Sequence, residues 1–236
     1  MECHGSKNRK PPETGREDEL GESFGLLPSD VARRVFGTNS GGITDLKDRQ
    51  ASAKAQRQAI VMAGLLPVIP FPRSLDAKGT EHAVRFRGKH VEKHQHSDGW
   101  VPVLDPSGML ALNRASPIEY LRRLELQNEL FGDHIRIIGL TRADRFAIIQ
   151  PTLRGGEPKE NEIRDILEEG GWQRVPITIQ NLPIQLMGSA WWHDEEGLVL
   201  LDARKPNFKK TDFGALPIDL ILGDLSPEMH DRLISK

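Results

Sequence analysis

A single, fully marked helix separates two groups of extended runs in this sequence, and that order restricts the fold classes open to the chain. Ser116 is a favourable N-cap, Pro117 suits the first helical position, and Glu119 completes a capping box with the serine. The sequence therefore predicts a helix over residues 117–131. Strands that surround one helix and continue into a mixed C-terminal part are typical of the α+β class, here with a mostly antiparallel N-terminal sheet.

Several short runs have the residue pattern of strands and are bounded by turn residues. Residues 83–86 alternate in polarity, and Arg87-Gly88-Lys89 forms a favourable turn before the next run. A hairpin around Gly214 is predicted within residues 208–222. The remaining helices are predicted at 26–37, 44–65 and 158–169, and the strands at 83–86, 90–95, 134–141, 145–149 and 197–202.

The first residues differ from the rest of the chain in composition. Residues 1–22 hold ten charged side chains and almost nothing apolar beyond Leu20, so burial there cannot offset the ordering entropy. We expect a flexible leader over residues 1–25, and removal of residues 1–22 is expected to change the melting temperature little. A helical extension is expected over residues 26–70.

Composition excludes several classes of protein. The hydrophobic fraction of 37% and the formal net charge of −2 are ordinary for a globular protein, whereas nucleic-acid binders usually carry a marked basic excess. The one cysteine, Cys3, excludes a disulfide within the chain and a thiolate metal cluster. The longest apolar stretch, residues 60–71, is too short to cross a bilayer. Because no apolar segment marks a signal peptide, a cytoplasmic location is expected.

Three polar residues stand at the ends of predicted C-terminal strands. The apolar strand 197–202 ends at Asp202, Asn207 follows five positions later, and a second apolar strand leads to Asp219. Two carboxylates and an amide suit a hard divalent cation whose shell is completed by phosphate oxygens. Asp and Asn are also common turn formers at strand ends, so the pattern alone leaves a purely structural interpretation open.

The sequence Asp-Phe-Gly at residues 212–214 contains a second candidate for the metal-binding aspartate, besides Asp219. Asp212 lies only five positions after Asn207, which leaves no room for an outgoing and a returning strand. The polar residues with a closing glycine favour a hairpin turn. We therefore predict that Asp212 lies at an exposed hairpin tip, while the carboxylates of Asp202 and Asp219 converge on one cleft.

The spacing from Asp202 to Asn207 and on to Asp219 resembles the catalytic loop and the metal-binding aspartate of protein kinases. In their order, the motifs of residues 79–225 resemble the kinase-like domain of bacterial and phage polyvalent proteins. These motifs are EYLRRLELQNELFGDHIRIIGL, IIQP, LLDARKPN and GALPIDLIL. The resemblance implies a protein-kinase-like bilobal fold, with an antiparallel N-lobe over 71–150 and a reduced C-lobe over 151–236.

The resemblance also implies roles for the C-terminal residues, with ATP and Mg²⁺ as cofactors. Asp202 would be the catalytic base that orients the attacking hydroxyl. Asn207 would hold one magnesium ion, and Asp219 would bridge the metal ions to the β- and γ-phosphates. Arg204 or Lys205 would stand near the transferred phosphoryl group.

In the N-lobe, Lys93 matches the third-strand lysine that would hold the α- and β-phosphates. A solvated lysine on an edge strand is the alternative interpretation. Its acidic partner is expected on helix 117–131, where the resemblance favours Glu119. A helical wheel favours Glu125 instead, because a carboxylate on the apolar face needs a partner.

Two further nucleotide contacts are implied by the resemblance. Gly79 is the one glycine of the loop 76–81, which would cover the phosphates. Gln150, followed by Pro151, occupies the position of the hinge between the lobes.

Two functions from different classes remain open. The first is a phosphotransferase that moves the γ-phosphoryl of ATP to a hydroxyl on a protein or small molecule with Mg²⁺. The alternative is a catalytically silent kinase-like binding module that acts through its N-terminal helices. Histidines at 82, 90, 94 and 96 raise the question of a zinc site, yet no acidic or cysteine ligand accompanies them at a recognisable spacing. Nucleotide and a hydroxyl-bearing acceptor are the expected partners, and membrane and nucleic acid are not.

Overall fold

The chain has the predicted α+β class, and the strands of each sheet pair antiparallel. The computed structural model describes residues 25–36, 46–72 and 74–235, so the predicted leader lies outside the described residues except for Gly25. The helices are α1 (Pro28–Phe36), α2 (Leu46–Ala63), α3 (Pro117–Phe131), α4 (Glu160–Glu169) and α5 (Pro227–Ile234). Within these ranges, none of the helices combines the length and apolar character that crossing a bilayer requires.

Thirteen strands lie in the described ranges and form two sheets and two separate hairpins. The strands of the N-terminal half are β1 (Ala77–Lys78), β2 (His82–Arg87), β3 (His90–Gln95), β4 (Trp100–Leu104), β5 (Leu110–Arg114), β6 (Arg136–Leu140) and β7 (Phe146–Pro151). Those of the C-terminal half are β8 (Gln173–Arg174), β9 (Trp191–His193), β10 (Leu198–Leu201), β11 (Phe208–Thr211), β12 (Gly214–Pro217) and β13 (Ile221–Asp224).

Five strands form the N-terminal sheet in the order β1-β2-β3-β7-β6. The turn between β2 and β3 contains Gly88 at φ 67°, a left-handed conformation that favours glycine. Lys93 pairs with Val84 on one side and with Ile148 on the other. The lysine therefore lies in the central strand of the sheet, which contradicts the alternative of an edge position.

Helix α3 begins and ends where the sequence predicts. The Ser116 side chain accepts from the Glu119 N–H, and the Glu119 carboxylate accepts from the Ser116 N–H at 2.8 Å. Gly132 ends the helix in a left-handed conformation, with φ 61°. Leu121 and Leu124 are buried in the same apolar cluster as β6 and β7. The helix is thus packed on one face of the N-terminal sheet.

The N-terminal helices belong to this same core. Val31 on α1 and Ile60 on α2 are buried in the cluster that α3 forms with the sheet. Next to α1, Leu26 exchanges two backbone hydrogen bonds with Ile137 of β6. The predicted helical extension over 26–70 is therefore packed on the sheet, in the part that the structure describes.

The C-terminal sheet has the order β13-β10-β9-β8, and β10 is the predicted apolar strand. Its residues are buried, as are Trp191 and Trp192 on the neighbouring β9. Leu126, on a second face of α3, lies in the cluster of Leu200 and Leu222. Helix α3 therefore packs against both sheets.

The hairpin of β4 and β5 belongs in sequence to the predicted N-lobe, yet it packs on the C-terminal sheet. Leu110 shares a buried cluster with Leu201 and Ile221. Strand β4 approaches β13 at Gly223, where a Cβ atom would lie 2.8 Å from the Pro102 Cγ. Only a residue without a side chain fits at that crossing, which fixes the hairpin against the sheet.

Candidate functional site

The hairpin of β11 and β12 brings Asn207 and Asp219 together. Phe208 pairs with Pro217 at the open end of the hairpin, so the residues that precede β11 and follow β12 are neighbours. The Ile218 N–H donates to the Asn207 carbonyl at 2.8 Å. Asp219 is the next residue, and its side chain is 39% exposed. The chain therefore returns Asp219 beside Asn207, as the spacing predicts.

Asp212 lies at the other end of this hairpin. Thr211 pairs with Gly214, and Asp212 and Phe213 form the exposed turn between them. The prediction that the Asp-Phe-Gly sequence forms an exposed tip is confirmed. Asp212 is thus separated from Asn207 by the length of β11.

Lys93 reaches the same piece of backbone from the N-terminal sheet. Its Nζ donates to the Ile218 carbonyl at 2.8 Å, across a separation of 125 residues in sequence. The side chain is 8% exposed, which contradicts the alternative of a solvated lysine. The backbone of Ile218 therefore donates to Asn207 through its N–H and accepts from Lys93 through its carbonyl.

Asp202 follows β10 at the edge of the C-terminal sheet where β13 begins. Leu201 pairs with Ile221, so the residues just beyond these strand ends emerge together. Asp202 has φ 64°, a conformation that non-glycine residues adopt at a cost. The Asn207 Nδ2 donates to the Asp202 carbonyl at 2.9 Å, which links the two predicted site residues directly.

The two basic residues after Asp202 have different surroundings. The Arg204 Nε donates to the Asp202 carboxylate, and Arg204 is partly exposed. The Lys205 Nζ lies 3.6 Å from the carboxylate of Glu160 on α4, in a solvent-exposed pair. Arg204 therefore contacts the predicted catalytic base, whereas Lys205 is turned towards α4.

The predicted nucleotide contacts of the N-terminal half lie at two ends of its sheet. The Gly79 N–H donates to the His82 carbonyl at 2.8 Å and closes the turn between β1 and β2. Gln150 lies on β7, opposite Val91 of β3, and is 3% exposed. Its side-chain oxygen is buried and accepts no hydrogen bond from the described residues. An unpaired buried acceptor of this kind calls for a donor from water or a ligand.

The structure corrects the predicted acidic partner of Lys93. Glu125 forms an ion pair with Arg122 at 3.0 Å, because it lies on the side of α3 that faces the C-terminal sheet edge and solvent. Glu119 is held in the capping box of α3 through Ser116. The ammonium of Lys93 instead donates to a backbone carbonyl.

Arg123 is the residue of α3 that reaches the predicted site, and the sequence analysis missed it. Its Nη2 donates to Asp219 Oδ1 at 2.9 Å, and its Nη1 donates to Glu81 Oε2 at 2.8 Å. The Nε donates to the Leu220 carbonyl at 2.7 Å. With a side chain only 3% exposed, Arg123 joins the start of β2, α3 and the start of β13.

The wheel of α3 explains why Arg123 was missed. A wheel with one apolar face, centred on Leu121 and Leu124, favours a carboxylate on that face as the partner of Lys93. Tyr120, Arg123 and Gln127 are also buried, at helical spacing, because the helix is covered by sheets on two sides. On the helical wheel of α3, Arg123 lies between two apolar arcs. This pattern could have indicated that the arginine is buried.

Charges around Asp219 favour its ionised form. Desolvation would raise the pKa of this carboxyl, but Lys93, Arg123 and His82 lower it to about 2. Burial lowers the pKa of Arg123, yet the carboxylates of Glu81 and Asp219 outweigh it and raise that pKa above the usual value. The arginine and the aspartate are both charged across the physiological range.

A buried polar cluster extends this site towards the N-terminal sheet. The His82 Nε2 lies 3.2 Å from Glu81 Oε1 and 2.8 Å from the Tyr120 hydroxyl. Burial lowers the pKa of His82 despite the nearby carboxylates of Glu81 and Asp219, and it raises the pKa of Tyr120 well above its usual range. His82 is therefore neutral and contacts Glu81, the carboxylate that pairs with Arg123.

The side chains near Asp219 include few of the ligands that Mg²⁺ takes. Within the described ranges, no three His, Cys, Asp or Glu side chains form a cluster that could hold a metal, and this applies to the histidines at 82–96 as well. The pattern predicts two carboxylates and an amide with phosphate oxygens completing the shell, and the resemblance assigns Asn207 and Asp219 of this set to the metal. Because the Asn207 Nδ2 donates to the Asp202 carbonyl, Oδ1 is the atom of this amide that could bind a cation. The oxygen atoms of Asp219 and Asn207 are of the type that a hard cation with bound phosphate takes as ligands.

Comparison of this chain with protein-family models, with curated proteins and with solved structures finds no match.

Proposed function

We propose that this protein is a kinase-like phosphotransferase that binds ATP with Mg²⁺ and moves the γ-phosphoryl group to a hydroxyl. The acceptor is a hydroxyl of a protein or a small molecule. The same proposal includes a bilobal kinase-like arrangement, a cytoplasmic location and kinship with the kinase-like domains of bacterial and phage polyvalent proteins.

One observation carries the proposal. The Ile218 peptide is bonded to Lys93 of one sheet and to Asn207 of the catalytic-loop segment, and Asp219 follows it directly. The ammonium of Lys93, from the N-terminal sheet, therefore lies against the backbone that carries Asn207 and Asp219. Their order along the chain and their chemistry are those that phosphate and a divalent cation require together.

The arrangement assigns a task to each residue around the phosphates. Lys93 neutralises phosphate charge from the N-terminal sheet, and the turn at Gly79 lies next to the Glu81–Arg123 pair, where it would cover the phosphates. Asn207 Oδ1 and Asp219 would hold Mg²⁺, which offsets the charge that develops on the transferred group. Gln150 offers a buried acceptor that suits the amino group of adenine.

Asp202 is assigned the role of the base that orients the acceptor hydroxyl. The Asn207 amide holds its backbone, and Arg204 donates to its carboxylate. These two contacts fix the direction of the side chain, which is the condition for general-base action. Arg204, which contacts Asp202, is assigned the place beside the transferred phosphoryl group.

The element order supports the kinase-like part of the proposal. Three strands of the N-terminal sheet, with Lys93 on the third, precede α3, two further strands of this sheet follow it, and β7 ends at Gln150-Pro151. The inserted hairpin of β4 and β5 lies on the C-terminal sheet and leaves this order unchanged.

The silent binding module remains the competing function, and a specific observation favours it. The carboxylates of Asp202 and Asp219 each accept a hydrogen bond from an arginine, Arg204 and Arg123. A chain in which arginines permanently satisfy both carboxylates would have no need of a metal ion.

A thermal-shift titration separates the two functions. ATP with Mg²⁺ at about a hundredfold excess over Kd is expected to raise the melting temperature by about 5–10 °C. ATP with EDTA and Mg²⁺ alone are the controls, and neither is expected to produce that shift. An unchanged melting temperature, or an equal shift in EDTA, would contradict the proposal and favour the silent module.

A further inference from the structure

Arg123 occupies one oxygen of the carboxylate that the proposed function assigns to the metal. Its Nη2 lies 2.9 Å from Asp219 Oδ1, which leaves Oδ2 as the oxygen without this bond. A divalent cation on Oδ1 would have to share that oxygen with a guanidinium, and the two positive charges would repel each other.

The position of Arg123 is fixed from three directions. Besides Asp219, the guanidinium donates to Glu81 Oε2 at 2.8 Å and to the Leu220 carbonyl at 2.7 Å. Glu81 and Arg123 are both almost fully buried, so moving the arginine away would leave a buried carboxylate without its cation. Arg123 is therefore expected to keep its position and its bond to Asp219 when a nucleotide binds.

Protein kinases hold two magnesium ions with their aspartate and asparagine ligands. We propose that this site takes one divalent cation per nucleotide, bound by Asp219 Oδ2 and Asn207 Oδ1, because the Arg123 guanidinium already donates to Asp219 Oδ1 and takes that oxygen from a second ion. The inference rests on the proposed nucleotide binding and adds the metal stoichiometry to it. Arg123 acts through Asp219 and is a positioning residue.

The test counts Mn²⁺ ions by electron paramagnetic resonance in the full-length protein with a non-hydrolysable ATP analogue. With the protein in excess, so that all the analogue is bound, one Mn²⁺ per analogue is expected. Two Mn²⁺ per analogue would overturn the inference and leave the proposed function intact. Failure of the analogue to bind with Mn²⁺ would contradict both.

Variants at Arg123 test the cause of this stoichiometry. Arg123→Met removes the charge and keeps the length, and the count is expected to rise from one to two, whereas Arg123→Lys should retain one. Arg122→Met is the matched control, since Arg122 is the neighbouring arginine and binds Asp224 at the surface, and it should also retain one. Where Arg123→Met fails to fold, the double variant Arg123→Met/Glu81→Gln removes the stranded carboxylate as well. A count that stays at one in every folded variant without the arginine would contradict the assigned role.

Discussion

At Asp202 the chain turns out of a buried strand through a left-handed conformation, with φ 64°. The Asp202 carbonyl accepts from the Arg204 N–H at 2.8 Å and from the Asn207 side chain at 2.9 Å. These bonds hold the residue in a conformation that its side chain disfavours. Backbone strain of this kind is typical of functional positions, where the direction of a side chain matters more than local stability.

We predict that glycine at this position restores stability that alanine does not. Asp202→Gly and Asp202→Ala lose the same carboxylate, but only glycine adopts φ 64° without strain. Urea unfolding should show Asp202→Gly more stable than Asp202→Ala by about 1 kcal/mol. Equal stabilities would mean that the left-handed conformation carries no strain.

Sequence alone was sufficient for the residues whose local signals are strong. Asn207 and Asp219 flank a hairpin that its turn residues predict, and Lys93 lies in a strand that is predicted from the turn 87–89 before it. Arg123 could not be found in this way, since its role depends on a second sheet covering α3. The prediction that Glu125 or Glu119 is the partner of Lys93 was wrong, because it too took no account of the second sheet on α3.

On the scale of the elements, the hairpin of β11 and β12 decides which aspartate enters the site. Its open end is anchored by Phe208, which is 1% exposed and packs against α4 and the C-terminal sheet. Its tip carries Phe213, which is 59% exposed. The anchoring is thus concentrated next to Asn207, where the position of the backbone matters for the site.

Truncation of the two phenylalanines should have unequal effects. Phe208→Ala removes a buried ring and should lower the free energy of unfolding by about 3–5 kcal/mol, because a cavity remains. Phe213→Ala is the matched control at the tip and should change it by less than about 0.5 kcal/mol. Both values come from urea denaturation followed by circular dichroism. Similar losses in the two variants would contradict the packing described for the hairpin.

On the scale of the whole molecule, α3 holds the two sheets together. Arg122 forms an ion pair with Asp224 of β13 at 3.2 Å, Arg123 binds the Leu220 carbonyl, and Leu126 packs in the C-terminal core. The sequence indicated the span of this helix, but it indicated neither the β4–β5 hairpin nor the packing of that hairpin on the C-terminal sheet. That hairpin packs on strands about a hundred residues further along the chain. A local sequence pattern does not predict a contact between such distant segments.

The N-terminal helices should contribute to the stability of the whole chain. Val31 on α1 is fully buried against α3 and the N-terminal sheet, so Val31→Ala should lower the free energy of unfolding by about 2 kcal/mol. Arg34→Ala, on the exposed side of the same helix, is the control and should have little effect. A Val31 variant as stable as the parent would show that α1 is a dispensable extension.

The assignment of the metal-binding aspartate is the central claim, and one pair of variants tests it most directly. Isothermal titration calorimetry with a non-hydrolysable ATP analogue, with and without Mg²⁺, should show that Asp219→Asn loses the magnesium-dependent part of binding. Asp212→Asn, at the exposed hairpin tip, should bind as the parent does. Loss of magnesium dependence in Asp212→Asn and its retention in Asp219→Asn would contradict the account.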